Sequence, residues 1–102
     1  MRRRGGFFAF VLDQLREVEG VSSRAMFGGH GIWRGDRMVG IVFKGRFYLK
    51  VTRASKSRFE KAGMKPFKPS ATQTLNSYYE VPADVVESPA KLARWIARPG
   101  AV

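Results

Sequence analysis

The sequence predicts an α+β domain in which an antiparallel sheet of about five strands carries its helices mainly on one side. A chain of 102 residues is long enough for one hydrophobic core and too short for two. The two ends of the chain have helical periodicity. Between them lie several short segments with period-two alternation, separated by glycine turns. The composition, 44% hydrophobic and 26% charged, excludes a disordered chain and a membrane span.

The N-terminus imitates an export signal, because three arginines precede an apolar run. That run ends at Asp13 after six apolar residues, whereas a signal core needs roughly 7 to 15. We therefore expect a cytoplasmic protein with no membrane partner. We expect residues 1–6 to form a flexible basic tail, residues 7–98 the single domain and residues 99–102 a second tail.

Residues 7–19 predict the first helix, because Phe8, Val11 and Leu15 recur at helical spacing while Gln14 falls on the polar side. The next stretch is too rich in glycine for a helix. It predicts short strands at residues 24–27 and 31–34.

Two further strands follow, separated by turn signals. A turn at Gly35 and Asp36 precedes a strand over residues 37–43, which is apolar on both faces and therefore suits a central position. A second turn at Lys44 and Gly45 leads into residues 46–51. Side chains alternate along a strand, so one face of this strand is apolar and the other is basic with an aromatic residue in its middle, formed by Arg46, Tyr48 and Lys50.

A short second helix is predicted over residues 54–62. Ser57 and Glu60 have the spacing of a capping box, and Gly63 is placed to end the helix in a left-handed conformation. The two prolines within residues 65–70 predict an irregular loop, since each proline removes a backbone donor.

The chain ends in a strand and a helix. Residues 74–81 predict a strand that Pro82 closes. Ser88 and Pro89 predict the N-cap and first position of a final helix. Adjacent Tyr78 and Tyr79 face opposite ways, so at most one is expected in the core.

The positive charge is concentrated rather than spread. Residues 44–68 contain nine basic residues and one acidic residue, Glu60, and so hold +8 of the net charge of +11. Such a concentration attracts anionic partners, of which nucleic acid is the commonest. The alternative is that these side chains only keep a small domain soluble.

The candidate binding site is the basic strand face and its continuation into the second helix. Lysine and arginine would contact phosphates while the tyrosine stacks, as in proteins that bind single strands. The alternative is a solvated face whose tyrosine is covered by the proline-containing segment. The candidate residues are Lys44, Arg46, Tyr48, Lys50, Arg53, Lys56 and Arg58.

The residues that enzymes and metal sites require are scarce. The chain has no cysteine and one histidine, His30, and its eight carboxylates form no ligand motif. The glycines of residues 28–31 lack the spacing of a phosphate loop, so they favour a bulge or a close backbone approach. We therefore expect no enzyme activity, catalytic residue, metal site or cofactor. Phe7, Phe8 and Phe10 are expected to fill the core or a dimer contact.

Several motifs resemble the N-terminal domain of the TfoX/Sxy regulators of bacterial DNA-uptake competence. They are RAMFGGHGIW, FYLKV, RFEKAGMKPF, SYYEVP and a final RW, in the family's order between about Phe7 and Arg98. The resemblance implies an α+β domain, a role in transcriptional control, and a homodimer. It also implies structural roles for Met26, Phe27, Gly28, Gly29, Gly31, Phe59, Gly63, Phe67, Tyr78, Tyr79, Pro82 and Trp95.

Two functions are consistent with these observations. The first is a non-enzymatic regulatory module that binds DNA or a transcription-regulator protein through the basic surface. The second is a homodimeric protein-interaction domain that binds no nucleic acid.

Overall fold

The structure is a computed structural model that describes residues 6–26 and 28–96. The predictions for residues 1–5, Phe27 and residues 97–102 lie outside this part of the chain. A short 3-10 turn, Leu15–Glu17, follows the first helix. In chain order the elements are α1 (Gly6–Gln14), β1 (Val21–Met26), β2 (Gly29–Arg34), β3 (Arg37–Phe43), β4 (Arg46–Lys50), α2 (Lys56–Lys61), β5 (Pro66–Ser70), β6 (Gln73–Glu80), α3 (Ala83–Val86) and α4 (Pro89–Trp95).

The strands form an antiparallel sheet in the order β1-β2-β3-β4-β6-β5, which confirms the α+β class. The sheet has six strands rather than about five. The additional strand is β5, so the predicted loop over residues 65–70 was wrong. Because β5 lies at the edge of the sheet, Pro66 and Pro69 are accommodated there despite lacking a backbone donor.

The sheet has two apolar faces. Its inner face packs against the helices, and Val11, Phe59 and Leu92 are fully buried between them. The opposite face, here called the outer face, carries a smaller cluster of Ile41, Tyr48, Phe67 and Tyr78, and every described member of that cluster comes from a strand. Both tyrosines of the Tyr78–Tyr79 pair are therefore buried, one on each face, and the expectation of at most one core tyrosine was wrong.

The first helix is shorter than predicted, because α1 ends at Gln14 and the 3-10 turn completes the segment at Glu17. Gln14 was predicted on the polar side but is buried, and its Nε2 donates to the Val86 carbonyl oxygen at 3.0 Å. The short helix α3, which no sequence pattern predicted, provides that acceptor.

Helix α2 begins two residues later than predicted, and the proposed capping box of Ser57 and Glu60 does not form. The preceding turn is closed by Ser55, whose Oγ accepts from the Thr52 backbone N–H at 2.9 Å while the Ser55 N–H donates to Thr52 Oγ1 at 3.1 Å. The Glu60 carboxylate instead accepts from the Tyr79 hydroxyl at 3.3 Å.

Other local predictions are confirmed. The Lys91 N–H donates to Ser88 Oγ at the start of α4. Gly63 has a φ of 78°, as a left-handed helix end requires. Lys44 and Gly45 both have positive φ, at 49° and 75°, which is the conformation of a two-residue hairpin turn between β3 and β4.

Candidate nucleic-acid interface

Strand β4 places the centre of the candidate site on the outer face. Tyr48 lies opposite Ile41 of β3 and opposite Glu80 of β6, while Lys50 lies opposite Tyr78. Partners directly opposite each other share a face, so the basic side of β4 is the side that the helices leave uncovered.

Tyr48 is covered rather than presented to solvent. Only 8% of the residue is exposed, and its ring centroid lies 4.7 Å from that of Phe67 on β5. Burial raises the pKa of its phenol, the Glu80 carboxylate raises that pKa further, and Arg46 partly offsets the change. Of the two alternatives for this tyrosine, the geometry favours the covered one, with a strand in place of the predicted loop.

At one end of β4, two of the candidate cations are engaged by neighbours. Arg46 Nη1 lies 3.0 Å from both carboxylate oxygens of Glu80. Lys44 Nζ lies 5.3 Å from the ring centre of Phe43, a cation–π distance. The Arg46 side chain nevertheless remains 62% exposed, so the pair leaves its guanidinium accessible.

At the other end of β4, the cations are less constrained. Arg53 and Lys56 are exposed and Lys50 is half-buried, and within residues 6–26 and 28–96 none of the three forms a salt bridge. The Thr52–Ser55 hydrogen bonds order the turn that carries Arg53. The arrangement is therefore able to neutralise phosphates at its cations, while Tyr48 offers no stacking surface.

The last candidate cation, Arg58, lies against an aromatic ring. Its guanidinium carbon is 5.0 Å from the ring centre of Trp95, and Trp95 meets Phe59 edge-on at 4.8 Å. Phe59 is fully buried, so these motif residues connect α2 to α4.

The glycine-rich motif is explained by close packing on the outer face. A Cβ on Gly29 would overlap the Val42 carbonyl oxygen, and a Cβ on Gly31 would lie 2.5 Å from Met26 Sδ. His30 points to the inner face, where its ring stacks on Phe8 with centroids 3.6 Å apart.

Sequence reasoning missed a groove on the outer face with a volume of about 390 Å³. Its residues were not connected because residues 65–70 were assigned to a loop, although alternation along β3 puts Phe43 on the same face as Ile41. The groove is lined by Phe43, Pro69, Ser70, Gln73 and Leu75.

A second cavity, of about 340 Å³, lies beside α1. Phe7, Phe10 and Met64 contribute apolar walls, and the charged residues Arg46, Glu80 and Glu87 also line it. The phenylalanines of α1 are thus only partly buried rather than enclosed in the core.

Neither a metal-binding cluster nor a membrane-spanning helix occurs among the described residues. No group of three or more histidine, aspartate or glutamate side chains within them could hold a metal ion. No helix in that part of the chain is long and apolar enough to cross a membrane.

Comparison with known proteins agrees with the sequence motifs. The family model for the TfoX N-terminal domain matches residues 13–99. A protein of Aliivibrio fischeri (strain ATCC 700601 / ES114) named DNA transformation protein TfoX1 is 32% identical over 88 residues, which cover 84% of this chain. The match spans 40% of that relative's length. With most of its length matched by the family model, the chain belongs to the TfoX N-terminal domain family.

Proposed function

We propose that this chain is a competence-related regulatory module that binds DNA, without catalysing a reaction, through a basic surface. That surface comprises Lys44, Arg46, Lys50, Arg53, Lys56 and Arg58. The observation that carries the proposal is that Lys50, Arg53 and Lys56 form no salt bridge within the described part of the chain, with Arg53 and Lys56 exposed and Lys50 half-buried. The name of the relative, a DNA transformation protein, supports the competence-related part of this proposal.

Cations without carboxylate partners suit phosphate binding for a physical reason. Each phosphate that a lysine or arginine neutralises releases condensed counterions, and this release drives association. A cation that is already paired with a carboxylate must first break that pair. The segment from residue 50 to residue 56 therefore contributes more to DNA affinity than Arg46, which Glu80 already engages.

A salt series tests the proposal. Binding of the purified protein to labelled DNA is measured from low to physiological salt, and the affinity should fall with a slope equivalent to about three to six released counterions. In the variant Lys50→Gln/Arg53→Gln/Lys56→Gln, this slope should decrease by about two to three and the affinity at low salt should fall at least about tenfold.

The matched control removes the same charge elsewhere. The variant Arg16→Gln/Arg37→Gln/Lys91→Gln changes three exposed cations outside the surface. Its affinity should stay within about threefold of the wild-type value. Equal losses in both variants would mean that net charge alone binds DNA. No wild-type binding at low salt would reject DNA and leave an acidic surface of a transcription-regulator protein as the partner.

The second candidate function, a homodimeric interaction domain, is favoured by a difference between the two edges of the sheet. The β5 edge contains Pro66 and Pro69, which block further strand pairing, whereas β1 contains no proline. A second copy could therefore pair its own β1 against this edge.

Sedimentation over a range of concentrations tests this dimer. Ser22 and Ala25 are exposed on β1. Ser22→Lys/Ala25→Lys would bring like charges together across a self-paired edge, so this variant should be monomeric where the wild type is dimeric. A wild-type protein that is monomeric throughout, or a variant that still dimerises, would count against pairing through β1.

A further inference from the structure

We propose that the groove on the outer face, lined by Phe43, Pro69, Ser70, Gln73 and Leu75, holds an unpaired base of a nucleic-acid strand. This inference rests on the proposed function and adds to it, because it assigns single-stranded nucleic acid as the substrate class. The groove has a volume of about 390 Å³, within the usual range of sites that hold small organic groups.

The walls of the groove suit a flat, apolar ring. Phe43 lies at the end of β3, where Phe67 meets it edge-on with ring centroids 5.4 Å apart. Pro69 and Leu75 come from the β5–β6 hairpin and are half-buried. Aromatic and aliphatic walls of this kind bind nucleobases with little dependence on sequence, since every base has a π-face.

Polar groups complete the groove on the hairpin side. Ser70 and Gln73 are exposed and oppose each other as register partners in the hairpin. An amide offers both donors and an acceptor, and a hydroxyl offers one of each, so the two side chains are able to hydrogen-bond to the edge of any base.

The groove on the outer face and the cavity beside α1 differ in the charge of the residues that line them. Within the described part of the chain, the cavity beside α1 is lined by two acidic residues, Glu80 and Glu87, against one cation, Arg46, so its net charge of −1 disfavours phosphates. No carboxylate lines the outer-face groove among the described residues, and Lys44 follows Phe43 directly in the chain. A base in the groove would thus bring its phosphate to a cation.

Lys44 links stacking to phosphate binding. Its Nζ lies 5.3 Å from the Phe43 ring centre, where an entering base would displace it. Lys44 is exposed, so its side chain is able to swing from the ring to the phosphate of the same nucleotide. In a duplex both faces of each base are already stacked, so only an unpaired base is able to enter.

The experiment compares ligands that share phosphates and differ in available bases. Fluorescence anisotropy measures binding of an oligothymidylate of about ten nucleotides, of an abasic strand of equal length, and of a duplex. The oligothymidylate should bind about tenfold more tightly than the abasic strand, and more tightly than the duplex. Thymidine monophosphate should compete only at far higher concentration, because it lacks neighbouring phosphates.

Two substitutions in the groove test whether the difference in affinity between the oligothymidylate and the abasic strand arises there. Phe43→Leu keeps an apolar side chain beside Phe67 but removes the aromatic ring, and Gln73→Ala removes the amide. Each should weaken oligothymidylate binding by about three- to tenfold and leave binding of the abasic strand unchanged. Thr74→Ala, an exposed neighbour on the other side of β6, is the matched control and should change neither. Unfolding curves confirm that every variant is folded.

The outcomes distinguish this inference from the proposed function. Equal affinity for the abasic strand, the duplex and the oligothymidylate would overturn the base site while leaving DNA binding intact. Competition by thymidine monophosphate at equal concentration would also overturn it, in favour of a free-nucleotide site. No binding of any nucleic acid would reject both proposals together.

Discussion

Gly29 and Gly31 both lie where neighbouring atoms crowd the backbone, and they differ in what a methyl group would meet. At Gly29 the obstacle is the Val42 carbonyl oxygen, part of the adjacent strand, with the Phe43 ring 3.1 Å away. At Gly31 the two nearest obstacles are the ends of flexible side chains, Met26 Sδ at 2.5 Å and Met38 Sδ at 3.0 Å, and the Trp33 indole nitrogen lies slightly farther away at 3.2 Å. Backbone is unable to move aside without breaking sheet hydrogen bonds, whereas methionine changes rotamer at small cost.

Gly29→Ala should therefore lower the free energy of unfolding by about 1–3 kcal/mol, and Gly31→Ala by less than about 1 kcal/mol. Urea denaturation of both variants beside the wild type measures the difference. Equal losses at the two positions would show that the methionines are as fixed as the backbone.

Tyr78 and Tyr48 make stability depend on pH at the alkaline end. Burial raises the pKa of both phenols above the ordinary value of 10.0, and at Tyr48 the Glu80 carboxylate adds to this effect. A phenol whose pKa is higher in the folded state binds its proton more tightly there. Its contribution is complete below about pH 10 and is lost as the pH rises through the folded-state pKa.

Tyr78→Phe separates this effect from other titrations. At neutral pH the variant loses the hydrogen bond to the Met38 carbonyl oxygen, 3.2 Å away, and should be less stable by about 0.5–1.5 kcal/mol. Because phenylalanine does not ionise, the gap to the wild type should narrow above about pH 10. Taking the difference at each pH cancels the lysine titrations that the two proteins share. A gap that stays constant to pH 11.5, about a unit and a half above the ordinary pKa, would contradict the assignment.

Among the elements, β5 has the largest effect on the outer face. Phe67 is fully buried on it and contacts both Tyr48 and Phe43, with ring centroids 4.7 Å and 5.4 Å away. This edge strand therefore covers the tyrosine at the centre of the basic face and forms one side of the groove.

Phe67→Ala should lower the free energy of unfolding by about 3–5 kcal/mol, the usual cost of emptying a buried aromatic site. The exposed neighbour Lys68→Ala should change it by less than about 0.5 kcal/mol. Chemical denaturation gives both values. If Phe67→Ala unfolds with wild-type stability, the hairpin does not hold the outer cluster together.

The same element shows where sequence patterns succeed and fail. Alternation along residues 46–51 correctly separates the basic side of β4 from its apolar side, since period two is a property of any strand. Proline, in contrast, argues against a strand unless the strand is known to lie at an edge, and edge position is a tertiary property. The cover over Tyr48 was one of the two alternatives that the sequence left open, but the strand that forms it and the groove beside it both depend on β5 and were not predictable from local sequence. The hydrogen bond from Gln14 to Val86 was also not predictable, because it joins residues that are 72 positions apart in the chain.

On the scale of the whole molecule, positive charge opposes folding. The net charge is +11, and the described residues contain three salt bridges, Asp13–Arg16, Arg46–Glu80 and Asp84–Lys91. Their cations are about half exposed or more, and pairs of this kind contribute about 0–1 kcal/mol each. We therefore expect repulsion among the cations to be the dominant electrostatic effect on stability.

Sodium chloride should consequently stabilise the protein, because the screening length shortens to about 10 Å at 0.1 M salt. We expect Tm to rise by several degrees between about 0.02 and 0.3 M, since about 1 kcal/mol shifts Tm by roughly 4–8 °C in a domain of this size. Differential scanning calorimetry measures the change. A Tm that falls with salt would show instead that the ion pairs outweigh the repulsion.

The variant Lys50→Gln/Arg53→Gln/Lys56→Gln connects this effect to function. Removing three cations that lie within residues 50–56 should raise Tm at low salt and flatten its dependence on salt. The variant Arg16→Gln/Arg37→Gln/Lys91→Gln also breaks two ion pairs and should raise Tm less. If the first variant is more stable and no longer binds DNA, the three cations lower the stability of the wild type and are needed for binding. A role in solubility alone would not explain the loss of binding. Unchanged Tm and unchanged binding would instead make these three charges incidental to both properties.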